Sequence, residues 1–132
     1  METINHECYV SPEVAKLLRE AGFDWECKEY YYNFTTTGWS LNFDDNFVNW
    51  NNWSERYISA PTLEVAQRWL RKVKQCYVHV YPMFSFEGTL EYYFVEVTYP
   101  SSCAIKQNEF NTYEEAQEAG IKKALEIINK GE

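Results

Sequence analysis

The stretch "TLEYYFVEVTY", Thr89 to Tyr99, leaves the fold fewer options than any other part of this chain. Tyr93, Val95, Val97 and Tyr99 alternate with Tyr92, Phe94 and Glu96, so a strand here presents apolar or aromatic side chains on both faces. Such a strand belongs in the middle of a sheet and needs neighbours on either side. "YVHVYPMF" precedes it across "SFEG", and a short strand around Cys103 to Gln107 is expected after the turn at Pro100 to Ser102.

The flanking segments switch to the helical period. Ser11 and Pro12 cap and open a helix in which Val14, Leu17, Leu18 and Ala21 form one stripe, and Gly22 supplies the stop. Thr62 starts a second, with Leu63, Ala66, Leu70 and Val73 on one face. Thr112 and Glu115 make a capping box for a third, in which Ala116, Gly120, Ala124, Ile127 and Ile128 share a side. Between the first two helices, "KEYYYNFT" reads as a strand, and the glycine turn in "TTTGW" leads into another. From Ser40 to Ser59 the chain is crowded with Asn42, Asp44, Asp45, Asn46, Asn49, Asn51 and Asn52, whose side chains compete for backbone hydrogen bonds. An irregular or short-stranded excursion is expected there. The order is α-β-β-α-β-β-β-α over one domain of residues 1–132: an α+β fold with an antiparallel sheet packed against about three helices.

Charge excludes several functions. Twenty carboxylates against 12 basic groups give a net charge of -8, which opposes generic binding to nucleic acid or to anionic membranes. The segment Thr62 to Lys130 has the element order of a double-stranded-RNA-binding domain, yet its last helix opens on "TYEEAQEAG", acidic where phosphates would lie. The same half is similar to antitoxins of the HicB type, whose sheet precedes a helix opening with a threonine and acidic residues. A carboxylate array mimicking DNA is opposed by the basic cluster of Arg68, Arg71, Lys72 and Lys74. No apolar run reaches the roughly 18 residues a membrane span needs, and the first residues lack the pattern of a secretory signal. Four scattered cysteines in a chain of this size read as reduced thiols, so a cytoplasmic setting is expected.

Chemistry finds little to work with. His6, Cys8, Cys76 and His79 have the composition of a zinc site, but Cys76 and His79 are three apart, which on a strand turns them to opposite faces. No metal or cofactor is expected. Two histidines offer poor bases for a cysteine nucleophile, and no phosphate-cradling loop or nucleophile elbow is present. Carboxylate pairs such as Asp44-Asp45 and Glu114-Glu115 are what an acidic surface provides anyway. No catalytic residue is assigned, and a non-enzymatic role is expected.

The aromatic content, 18%, is the unusual figure. Trp39, Trp50, Trp53 and Tyr57 stand among asparagines and aspartates, a composition that suits a glycan surface, or rings folded back as a lid on the sheet. Burial energetics favour the lid. "YVSPEVAKLLREAGFDWECKEYY", "ISAPTLEVAQRWLR" and "TYEEAQEAGIKKALEII", in this order with aromatic strands between, resemble a family of uncharacterised small proteins encoded in phages, prophages and mobile elements of gut anaerobes. The resemblance implies a mobile-element accessory protein, and no activity or functional residues come with it.

The leading expectation is therefore a protein-interaction module with an unknown protein partner. Its contact surface would combine Trp50, Trp53 and Tyr57 with Arg68, Arg71 and Lys72, since aromatic and arginine side chains dominate interface hot spots. A homodimer joined through opposite charges is favoured over a monomer. The alternative is a glycan- or small-ligand-binding module using the same loop.

Overall fold

The computed structural model describes residues 8–100 and 105–131, with 105–108 described by their backbone alone. His6 and Cys103 lie outside the described residues.

Helix α1 spans Pro12–Glu20, and Ser11 caps it by accepting the Val14 N–H at 3.2 Å. Strands β1 (Cys27–Phe34), β2 (Gly38–Val48) and β3 (Tyr57–Ser59) come next, then α2 (Leu63–Trp69), β4 (Tyr77–Phe84), β5 (Leu90–Thr98), β6 (Ile105–Phe110) and α3 (Tyr113–Asn129). The class is α+β, with three helices, and the order expected from sequence recurs with one addition, the short strand β3.

The strands form two antiparallel sheets of three rather than one, ordered β2-β1-β3 and β4-β5-β6. At the open edge of β4 a side chain stands where another strand would pair. Gln67 of α2 donates to the Val78 carbonyl at 2.7 Å, and Gln117 of α3 donates to Gln67 at 2.7 Å. The helices form the layer shared by both sheets: α1 meets β3 and α3, and α3 meets β4 and β5.

β5 is the central strand of its sheet, as its two-faced pattern requires. Val95 and Val97 are buried on the side that meets α3. Gly120 marks the closest approach of that helix, where a Cβ would lie 2.6 Å from a Val95 methyl and 2.7 Å from a Val78 methyl. Only a residue without a side chain permits that spacing.

Two local expectations are corrected. The Asn- and Asp-rich stretch begins as regular strand, with Leu41 paired to Tyr31 and Phe43 to Glu29 in β2, and is irregular only from Asp44 on. Ladder pairing with β1 holds to Phe43 and resumes at Val48; between them the register breaks and the Asp44 side chain accepts from the Asn46 N–H at 2.9 Å, the local competition expected of these residues, before Asn49 accepts from the Asn51 N–H and starts a 3-10 turn over Trp50–Asn52. In the second helix, Trp69 and not Val73 completes the buried face. The chain widens into a π-helical turn at Leu70–Lys74, and its extra residue rotates Val73 into solvent. Gln75, at φ 56°, ends the turn in the left-handed region.

Among the described residues, no helix is long and apolar enough to cross a membrane.

Candidate functional site

Strand alternation separates the aromatic residues of the first sheet into two sets. Tyr31 and Ile58, paired in register, face the helices and are buried, and the Tyr31 hydroxyl donates to the Val10 carbonyl at 2.6 Å. Tyr30, Tyr32 and Phe34 point the other way, joined by Tyr57, which pairs with Tyr32. Trp50 lies against Tyr30 at 4.2 Å between ring centroids and stacks on Tyr57 at 5.7 Å and 18°. Trp53 then meets Trp50 at 5.3 Å and Tyr57 at 5.6 Å. The loop from Asn49 to Arg56 thus folds back over its own sheet as a lid.

Hydrogen bonds fix that lid. The Trp50 indole N–H donates to the Cys27 carbonyl at 2.8 Å, and its backbone N–H donates to the Ser59 hydroxyl at 3.1 Å. Asn51 donates to the Phe23 carbonyl and accepts from the Ser59 N–H. The Asn51 amide is therefore engaged with the protein's own backbone through both its nitrogen and its oxygen. Trp50, only 3% exposed, supports the loop and offers no face to a partner, whereas Trp53 is 60% exposed. Trp39 belongs elsewhere, on the α1 side of the sheet with the Lys16 ammonium 5.3 Å from its ring.

The basic residues do not join this cluster. Arg68, Arg71 and Lys72 are exposed on the end of α2 and on the π-helical turn that leads into β4, and among the described residues none bonds or pairs with Trp53 or Tyr57. Arg56, from the loop itself, is the cation beside the rings, 3.5 Å from the Tyr32 hydroxyl. The surface expected as one patch is two.

A third surface was not legible as such in the sequence. On the face of the second sheet away from α3, Tyr77, His79 and Tyr81 succeed one another along β4, with Tyr77 and His79 parallel to within 7°, and Tyr81 stacks on Phe94 at 4.9 Å. The strand continues into a hairpin whose Phe84 is 59% exposed beside its pair Leu90, whose Phe86 is fully exposed, and whose Met83 is open as well. That hairpin is not loose. Ser85 N–H donates to the Thr89 carbonyl at 2.8 Å, Gly88 N–H to the Ser85 carbonyl at 3.0 Å, and Thr89 N–H to the Ser85 hydroxyl. The available signal was Phe86 itself, a large ring in a turn where polar residues are usual.

The titratable groups serve structure more than chemistry. A cavity of about 310 Å³ opens between the starts of α1 and α3, lined by Tyr9, Tyr31, Leu63 and Glu118 among others. Burial raises the Glu118 carboxyl above its ordinary value, against the Ser11 N–H that donates to it at 3.1 Å. A raised carboxyl in a cavity can serve acid–base chemistry. Here it satisfies the amino end of α1, and Tyr31, pushed up to about 12 by burial and by Glu118, is bound to Val10. Cys8, Cys27 and Cys76 are free thiols, and burial pushes Cys27 up to about 12, away from thiolate reactivity. Cys76 is buried while His79 lies on the open face of β4, and the described residues contain no group of three His, Cys, Asp or Glu able to hold a metal. Comparison with protein-family models, curated proteins and solved structures found no match.

Proposed function

We propose that this chain is a non-enzymatic protein-interaction module, a cytoplasmic accessory protein of the phage or mobile-element kind that its helix motifs resemble. The observation that carries this reading is the hydrogen-bonded hairpin at which Phe84, its cross-strand neighbour Leu90, Phe86 and Met83 are each exposed. Folded proteins that act alone rarely leave so many large apolar side chains open at one hairpin, and aromatic anchors dominate the energetics of protein contacts. Free thiols at Cys8, Cys27 and Cys76 suit a reducing compartment.

Trp53, Tyr57 and Arg56 form a secondary contact, with Arg68, Arg71 and Lys72 supplying charge at the start of β4. The glycan reading is weaker. Tyr32 meets Tyr57 at 67°, and Trp53 meets Tyr57 at 61°, so the rings pack edge to face and give no flat platform longer than the single ring of Trp53.

The test is site-specific photo-cross-linking in the cells that carry the gene, with the probe at position 86 or at position 53. A discrete protein adduct at 86, abolished by Phe84→Ser, supports the reading. Adducts at neither position, together with saturable sugar binding lost in Trp53→Ala, would replace it with the glycan module.

A further inference from the structure

We infer that the outer edge of β2 binds a second copy of this chain, the two β2 strands pairing antiparallel about a two-fold axis so that the first sheet runs on from one copy into the other. This surface is separate from the hairpin of the second sheet and independent of the contact proposed there.

The direction of the backbone groups follows from β1. Asn33 N–H donates to the Arg56 carbonyl at 2.9 Å, and the Glu29 carbonyl accepts from the Ala60 N–H at 3.1 Å, so the odd-numbered residues of β1 bond toward β3. Its even-numbered residues therefore bond toward β2, where they pair with Gly38, Ser40 and Asn42. That leaves Trp39, Leu41 and Phe43 directing N–H and C=O away from the sheet. Among the described residues, no hydrogen bond reaches these groups.

Two other edges are closed. On β3 the outward amides of Tyr57 and Ser59 donate to the Ser54 carbonyl at 3.2 Å and to the Asn51 side chain at 3.1 Å. On β4 the Val78 carbonyl is taken by Gln67, and Pro82, of the same parity, has no N–H to offer. From Gly38 to Phe43, β2 carries no proline, and its register breaks only after Phe43. An unpaired run of ladder groups is a template for one kind of occupant, another extended chain.

The side chains select the second copy. Leu41 pairs with the buried Tyr31, so Trp39, Leu41 and Phe43 face the helix side, yet β2 has its substantial contacts with β1 alone. The apolar row is left half finished: Trp39 and Leu41 are partly buried and Phe43 is 46% exposed. Pairing with a second β2 centred on Leu41 sets Leu41 against Leu41, and Trp39 against Phe43 at both ends, aromatic against aromatic on one face. It closes about six ladder hydrogen bonds. Charge runs in the same sense. The Lys16 ammonium lies 5.3 Å from the Trp39 ring, and Glu29 is the partner of Phe43 on the same face. Each copy's Lys16 thus comes to the end of the seam that holds the other's Glu29, the self-complementarity an isologous interface requires.

The experiment is residue-resolved hydrogen exchange of the full chain over a concentration series, with sedimentation of the wild type, Leu41→Lys and Leu41→Glu. The wild type is expected to dimerise, and the amides of Trp39, Leu41 and Phe43 to exchange more slowly as the dimer forms, while those of Ser40 and Asn42, already bonded to β1, change little. Each variant alone is expected to weaken the dimer about tenfold or more, because its new charge meets its own copy across the axis. An equimolar mixture of the two is expected to associate again as a heterodimer, lysine against glutamate. Circular dichroism checks that the variants fold; should either fail, the wild-type exchange pattern decides alone.

A wild type that stays monomeric to about 1 mM, a dimer whose Trp39, Leu41 and Phe43 amides exchange as in the monomer, or a mixture of folded variants that stays apart would overturn this inference. A monomeric wild type that still gives a protein adduct at position 86 sinks the dimer and leaves the hairpin contact standing.

Discussion

On the first sheet, Tyr30 and Tyr57 lie against Trp50, and Trp53 closes over the group. On the second, Tyr77, Tyr81 and Phe94 stay open along the strand, and Phe86 projects from the hairpin beyond them. Both outer faces are built by the same period-2 placement of aromatic residues. They differ in the segment that leaves the strand. After β2 the chain runs from Asn49 to Arg56 before pairing again, long enough to fold back, and its asparagines find backbone partners there. After β4 a turn closed on Ser85 returns the chain at once, leaving no segment to cover the face. Loop length and hydrogen bonding thus decide whether an aromatic face becomes core or contact surface.

The sharpest way to break this comparison is Trp50→Ala. Removing a buried tryptophan costs about 3–5 kcal/mol, and here it also leaves the Cys27 carbonyl without its indole donor. Urea unfolding is expected to show that loss. A cost below about 1 kcal/mol, the range of a surface substitution, would mean that the lid does not hold the sheet.

Gly120→Ala probes the opposite face of the second sheet, where packing is tight. The added methyl meets stiff, buried valines at 2.6 and 2.7 Å. Overpacking of this kind costs about 1–3 kcal/mol, against a helix-propensity gain of about 1 kcal/mol, so net destabilisation is expected in the same unfolding assay. A more stable variant would show that α3 is free to move off the sheet.

Trp53→Ala and Phe86→Ser then compare the two surfaces directly. Neither is expected to lower stability by more than about 1 kcal/mol, since both side chains are largely in solvent. Trp53→Ala is expected to cost the more of the two, because its ring meets Trp50 and Tyr57. Equal costs would erase the distinction between a covered face and an open one.

The sequence made the helices legible through caps and periodicity, and it identified β5 as central from its two apolar faces. It could not show that one of those faces is left uncovered, because a Tyr or Phe on a strand reads alike whether a helix, a loop or a partner lies over it. The division into two sheets was hidden for a related reason: Gln67 at the edge of β4 is one polar residue on a helix, and its role depends on Val78 and Gln117 being brought beside it. For the loop, both Trp50 and Trp53 were expected on a contact surface, and the burial of Trp50 was not legible. Both are tryptophans among asparagines, and only the 3-10 turn decides which of them points down.

The smallest effect concerns the seam between the two halves, where α3 meets α1. Glu118 takes the Ser11 N–H while burial holds its carboxyl above the ordinary value of 4.5. A carboxyl raised on folding favours the native state when protonated, so its contribution is fully present below the unfolded value and is lost as pH rises through the folded one. At neutral pH the charge is therefore a burden, lessened by solvent because the group is partly exposed. Glu118→Gln keeps an oxygen for the Ser11 amide and removes the charge. Its melting temperature is expected to lie slightly above that of the wild type at pH 7, the gap closing as pH falls below about 4.5. A variant less stable than the wild type at pH 7 would mean that the Ser11 amide and the nearby Lys122 outweigh burial. Glu118 would then be a true ion clamp between the two sheet-bearing halves.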